Sequence, residues 1–478
     1  MYNRRPCHAP GRPGGTLHPR GIRVSRAWSW LPASSLCAIV LILSPPVAPA
    51  DPGPVTLADS TALETFRLAN GLRVVTRHVP GCQNVDVTVA YDYGREDEPK
   101  GKEGFAPLLA ELQFYGETEA TPERTRDEMP SLLPAGWDVA VGPRLTRFSE
   151  IGNEQLLPGL VHQAAARMRG VKLSQTVLKR AIADVRADLD TTCRLNLGMA
   201  LHYGAREWAQ GQETALDRMA AARGIQSLSA REVQQQLTTV FVPANAVLAV
   251  AGNLGKIPLR ALIESEFGSI PGGAPLKRAR VARLDSTTRV VPRAEVSQPA
   301  GVIGLIAPAL DDTTHPGFFM ELALVGAHCT KSWGPPEAGL TSRFHYSLFD
   351  DPDLARFYPP VRPGESDPEL MRLSFVNTLD DLSSRQVTPA SYLALWRGLD
   401  WLLGGPIPTE IFERVLREPG ALHTLTMSTA VRELWGGEPF WSLYRERFMR
   451  AVGTPYPLWY ARMLATRYQV DLLFVPKP

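Results

Sequence analysis

A metal centre needs imidazoles, thiolates or carboxylates at spacings that bring them together, and this chain is sparing with them. Nine histidines occur in all, and those beyond residue 50 are His78, His162, His202, His315, His328, His345 and His423. None of these stands three or four residues from another, the spacing that puts two rings on one helix face. His328 adjoins Cys329, but neighbours in sequence point to different faces, so the pair reads as packing. Of five cysteines, Cys82, Cys193 and Cys329 lie beyond residue 50. They have no C-x-x-C spacing and read as buried free thiols. No G-x-S-x-G, phosphate-binding loop or dinucleotide fingerprint stands in a suitable context. The charge-dense stretch Arg95 to Glu103 reads as a solvated loop. Phe440, Tyr444 and Phe448 share one helical face, read as core or lobe contact, with a partner-facing stripe as the alternative.

At 478 residues, 44% apolar and 21% charged, the chain is globular and long enough for more than one folded unit. Residues 1 to 50 read differently. Six arginines precede the apolar run Leu36 to Leu43, and the segment closes on Val-Ala-Pro-Ala. This is the pattern of a secretory signal cleaved after Ala50, and the apolar run is about half the roughly 20 residues a membrane anchor needs. Its removal leaves 51 − 6 = 45 basic against 49 acidic residues, so the basic balance belongs to the leader and no nucleic-acid partner is indicated. The expected location is periplasmic or secreted, with no stable membrane anchor after cleavage.

Asn70-Gly71 between Thr65–Leu68 and Leu72–Thr76 predicts a hairpin. Asn84 to Tyr93 alternates Val85, Val87 and Val89 with polar neighbours and predicts a strand. Gly104 to Tyr115 predicts a helix, and helical patterns dominate from about 156 to 238. Ala246 to Ala251 predicts a buried strand, followed by a helix near 259–267. In the second half, strands are expected at 289–292, 301–307 and 471–475, with helices at about 315–326 and 439–452. The order fits two α+β units joined by a Pro/Gly/basic linker.

Four segments, in this order, resemble the insulinase/pitrilysin metallopeptidases, the inverzincins with the H-x-x-E-H signature. They are Phe66 to Val75 (FRLANGLRVV); Gly94 to Pro99 with Gly104 to Gly116 (GFAPLLAELQFYG); Val242 to Asn253 (VPANAVLAVAGN); and Gly339 to Phe344 (GLTSRF). The resemblance implies an α+β protein of two homologous α/β lobes of the LuxS/insulinase-like metallohydrolase type. Each lobe is expected to be a mainly antiparallel sheet with helices on one face, the lobes facing each other across a peptide-binding chamber. The implied boundaries are 1–50 for the signal, 60–272 for the first lobe, 273–285 for the linker and 286–478 for the second lobe.

In that family two histidines four residues apart bind zinc, the glutamate before the second polarises water, and a later helix supplies a glutamate ligand. The matching positions here are Pro107, Ala110 and Glu111, with Asp188 at the distant ligand and Ala181 at the accessory acid seven residues earlier. Proline and alanine offer no donor and no base, so the resemblance implies a vestigial site: no catalytic residue, no metal ligand set, no cofactor. Proline within a first helical turn leaves the helix intact. Glu111 and Asp188 are expected to be solvated or paired with an arginine such as Arg180 or Arg186, with weak Mg²⁺ or Ca²⁺ binding as the alternative. Some family members carry an arginine and a tyrosine in the second lobe; here those positions align with Phe349 and Arg356, and a shifted register would bring in Arg343 or Tyr358. The resemblance therefore implies a peptidase homologue without catalysis, paired as a non-catalytic subunit with an active family member in a heterodimer that encloses peptides. The alternatives are a stand-alone polypeptide-binding or scaffolding protein and a zinc endopeptidase with a rebuilt metal site.

Overall fold

Asn70-Gly71 reverses the chain as its dipeptide type requires, with Gly71 at φ +93°. The Asn70 amide also donates to the carbonyls of Phe267 and Ile270, tying the first hairpin to the end of its lobe. The computed structural model describes residues 63–477 except 100, 191–195, 210–223, 256, 278–286, 294–295, 337–339, 385–398 and 453–468. The expected signal segment, Cys193 and Gly339 lie outside the described residues.

The first sheet holds β1 (Leu63–Arg67), β2 (Arg73–His78), β3 (Val85–Tyr91), β4 (Trp137–Val141), β5 (Thr146–Gly152) and β6 (Ala246–Gly252), in the order β1-β2-β6-β3-β5-β4. The second holds β7 (Thr287–Arg293), β8 (Ala300–Ile306), β9 (Phe344–Ser347), β10 (Asp351–Phe357) and β11 (Gln469–Pro476), in the order β7-β11-β8-β10-β9. Without β1 the two orders coincide, and each contains one parallel pair at the same place, β2 with β6 and β7 with β11. All the other pairings are antiparallel. A duplication that leaves no visible identity in the sequence is plain in the topology.

Among the described residues, the helices longer than four residues in the first half are α1 (Phe105–Tyr115), α2 (Leu157–Arg169), α3 (Gln175–Asp190), α4 (Leu197–Ala209), α5 (Ala230–Val240) and α6 (Leu259–Phe267). In the second they are α7 (His315–Ser332), α8 (Pro368–Ser384), α9 (Thr409–Arg417), α10 (Pro419–Leu434) and α11 (Gly437–Val452). Among the described residues no helix is long and apolar enough to cross a membrane.

Each sheet is closed on one face by helices of its own lobe and on the other by a helix from the opposite lobe. Val85, Val87, Val89 and Tyr91 of β3 point into the first lobe's core with α1 and α2. Their polar neighbours Asp86 and Thr88 are buried too, because α10 of the second lobe lies across that face. Reciprocally, α4 of the first lobe lies on β8 and β11, its Ala200, Leu201, Ala205 and Ala209 packed on Val302, Val470, Leu472 and Phe474. Small residues on both sides, such as Ala249 and Ala251 under α10, allow the close approach.

This packing corrects the expectation of two lobes facing across a chamber. The lobes are in direct contact, and one apolar cluster joins Val75, Ala90, Val247 and Ala249 of the first to Phe349, Met427 and Val431 of the second. The strands β4, β5, β9 and β10 also went unrecognised in the sequence. β5 (TRFSEIG) carries an arginine and a glutamate yet is wholly buried, since both charges are paired: Arg147 with Asp138 and Asp350, Glu150 with Arg167. Such a strand breaks the usual apolar pattern.

Candidate functional site: a bridged pair of carboxylates

Helix α1 follows the central strand β3 and is buried along its whole length. Its start is fixed by the preceding loop. The Glu98 carboxylate accepts from the backbone N–H groups of Gly104 and Ala106, satisfying two donors that the helix itself leaves unpaired. Arg95 stacks on Tyr203 of α4, and Glu96 pairs with Arg206 of the same helix. The stretch expected to be a solvated loop is thus, over Arg95 to Glu98, a half-buried brace between α1 and α4.

Pro107, Ala110 and Glu111 lie on α1 together, Pro107 within the first turn, where its ring displaces no intrahelical hydrogen bond. With Val139 and Val141 of β4, Val185, Asp188 and Leu189 of α3, and Arg95, Arg126 and Tyr203, they line a cavity of about 30 Å³. Space of that size admits little more than a water. Ala181 is buried against the same core. The fold therefore does bring Glu111 and Asp188 face to face.

What lies between them is a guanidinium. Arg126, from the segment linking α1 to β4, donates through Nη2 to Glu111 Oε2 at 2.6 Å and through Nη1 to Asp188 Oδ2. Neither arginine expected from the sequence takes this place: Arg180 pairs with Glu123, and Arg186 lies against Gln226. Burial pushes the Glu111 and Asp188 carboxyls upward while Arg126 pulls them back, and Asp184, one turn before Asp188, adds a further upward push on both. Against the cost of its own burial, the two carboxylates hold Arg126 firmly protonated. Burial and the neighbouring Glu111 charge push the Tyr115 phenol up to about 12, so it stays neutral beside them.

This donor set does not fit zinc. Pro107 and Ala110 contribute nothing, both remaining carboxylates are satisfied by a fixed organic cation, and among the described residues no imidazole lines the cavity. Among the described residues no three His, Cys, Asp or Glu side chains converge as a metal cluster. Both carboxylates are engaged by the same guanidinium, while burial, the larger influence, leaves their affinity for a proton raised. The site is a three-member ion network joining α1, α3 and the intervening segment.

The second-lobe positions are equally structural. Phe349 is core. Arg356 is 1% exposed and donates to Asp351 at 2.7 Å and to the His202 carbonyl at 2.9 Å. Arg343 spends its guanidinium on the carbonyls of Gly334, Pro335 and Tyr358, and the Tyr358 side chain is buried. Cys82 and Cys329 are buried free thiols, as expected. Tyr444 and Phe448 line the second lobe's core with Phe440 packed against them, the first of the two readings offered for that stripe. The residue missed was Arg126, for which spacing carries no signal. Asp184, at i−4 from Asp188, could have been found by helical periodicity.

A duplicated pair of α/β lobes with this helix-borne site position defines the class of insulinase-type metallopeptidase folds. The model of the "Peptidase M16 inactive domain" matches residues 227–327, from α5 to most of α7. The mitochondrial-processing peptidase subunit beta of Blastocladiella emersonii is 24% identical over 253 residues, 50% of this chain and 51% of that protein. A protein of Mycobacterium tuberculosis described as an uncharacterised zinc protease is 24% identical over 261 residues, 51% of this chain and 55% of that one. The match spans about half the length of these curated relatives. Among solved structures, a protease from Helicobacter pylori superposes with a TM-score of 0.63 at 15% identity, over 87% of this chain and 100% of that one. A peptidase M16 inactive domain from Pseudomonas fluorescens gives 0.60 at 12% identity, over 87% and 98%. Over residues 227–327 the chain resembles the M16 inactive domain, and its overall fold is that of insulinase-type peptidases.

Proposed function

We propose that this chain is a catalytically inactive insulinase-family homologue that serves as a non-catalytic subunit of a metallopeptidase complex. The observation that carries this reading is the Arg126 fork, which occupies both surviving carboxylates where a metal would need them. Relatives give the subunit role its support: one match is a peptidase subunit by name, and a chain of the complex III dimer of Candida albicans superposes with a TM-score of 0.62 at 13% identity, over 86% of this chain and 96% of that one. The partner is an active member of the same family, and the complex works in the periplasm or outside the cell, to which the leader-like residues 1–50 direct it. A stand-alone polypeptide-binding protein is the second reading, favoured if no such partner is encoded nearby.

The test is metal content of the purified protein together with cleavage of an unstructured peptide. Substoichiometric zinc and no chelator-sensitive cleavage are expected. Stoichiometric zinc with chelator-sensitive turnover would revive the zinc endopeptidase. Co-purification of an intact H-x-x-E-H chain with the tagged protein separates the subunit from the stand-alone binder. Glu111→Ala and Asp188→Ala should leave the complex's activity almost unchanged.

A further inference from the structure

The buried face under each exchanged helix carries charge as well as apolar surface. His423 of α10 meets Asp86 of β3 at 3.0 Å and Asp138 of β4 at 3.5 Å. Arg147 of β5 reaches Asp138 on its own sheet and Asp350 on the β9–β10 turn of the other lobe. Arg73 of β2 donates to the last carbonyls of α10, Glu433 at 2.9 Å and Leu434 at 3.1 Å. From the opposite direction, Arg206 of α4 meets Asp351 at 2.6 Å, and the His202 carbonyl takes a hydrogen bond from Arg356. Backbone crosses the seam too, Gln83 N–H donating to the Leu416 carbonyl.

Separation of the lobes would strip α10 from one sheet and α4 from the other. Two sheet faces would be exposed at once, with Asp86 losing His423, Arg147 losing Asp350, Asp351 losing Arg206 and Arg356 losing the His202 carbonyl. Unpaired buried charge and bared apolar surface each cost far more than a surface contact. A chain whose lobes merely touched could open like a hinge, whereas an exchange in both directions has no partly open state that keeps either sheet covered.

We infer that the two lobes form one cooperative folding unit, locked by reciprocal exchange of α4 and α10, and that covalent continuity between them is dispensable once the chain has folded. The inference does not depend on the subunit role.

A recognition sequence for a site-specific protease, inserted after Lys277 in the full chain, allows the folded protein to be cut between the sheets. The two fragments should elute together at the volume of the uncut chain at micromolar concentration and part only in denaturant. Amide hydrogen exchange on the uncut chain should show β3 and β8 opening together, with protection factors that fall by the same factor in His423→Gln. Fragments that separate while each keeps its far-ultraviolet circular dichroism would overturn the inference. So would opening of one sheet roughly tenfold or more ahead of the other, the signature of independent units.

Discussion

Arg126 neutralises the carboxylates that α1 and α3 bring together. A guanidinium offers directional donors but no Lewis acidity, so it holds the two helices together without acting as a metal would. Removing it leaves Glu111, the more buried of the two acids, and Asp188 facing each other with no cation between them. Arg126→Ala should lower stability by about 1–3 kcal/mol in urea denaturation, below the buried-pair value because Arg126 and Asp188 are each about a third exposed at the side chain. Grafting the family signature is the sharper test. Pro107→His, Ala110→Glu and Glu111→His together should bind zinc poorly while Arg126 remains. Adding Arg126→Ala should tighten binding by at least about tenfold, since like charges about 4 Å apart at an effective dielectric of about 20 repel by about 4 kcal/mol. Zinc retained after dialysis against a metal buffer measures both.

Helix α10 is the element that carries a titratable lock. Despite the cost of burial, hydrogen bonds and charge from Asp138 and Asp86 raise His423 from its ordinary 6.5 to about 9. A raised basic group stabilises the fold fully below its unfolded value and loses that contribution as pH climbs through the folded one. Stability should therefore decline between pH 6.5 and about 9, by at most about 3 kcal/mol, and His423→Gln should flatten that decline. On strand β9 the sign is opposite. Burial, with Arg356 beside it, lowers His345 to about 4, so it is neutral in the fold. Below pH 6.5 the unfolded chain gains protons that the fold refuses, and stability falls toward pH 4. His345→Phe should ease that acid loss, and urea midpoints across pH 4 to 9 read both variants.

For the whole molecule, stability rests on two sheets covered from both sides and on ion networks across the seam. No bound ion is required for any of these contacts. Prolonged chelation should leave the thermal midpoint unchanged to within about a degree, where loss of a structural zinc would remove several kcal/mol and shift it by several degrees or more. Differential scanning calorimetry with and without chelator decides this.

Much of the frame was legible in the chain. The Asn70-Gly71 hairpin, the alternating valines of β3, the apolar run of β6 and the helix from Phe105 are local patterns, and local propensity with period is enough to specify them. So was the lack of a ligand or base at Pro107 and Ala110, whose side chains have no donor or acceptor atoms in any conformation. Strands β4, β5, β9 and β10 were not legible, since they carry charged or polar residues whose partners, near ones such as Asp138 for Arg147 and distant ones such as Arg206 for Asp351, only the fold brings together. The partner of Glu111 and Asp188 was decided by tertiary structure alone: Arg126 arrives from a segment whose spacing to either acid has no period. The covering of Asp86 and Thr88 was decided the same way. A polar face on an alternating strand reads as solvent-facing until a helix more than three hundred residues away is laid across it.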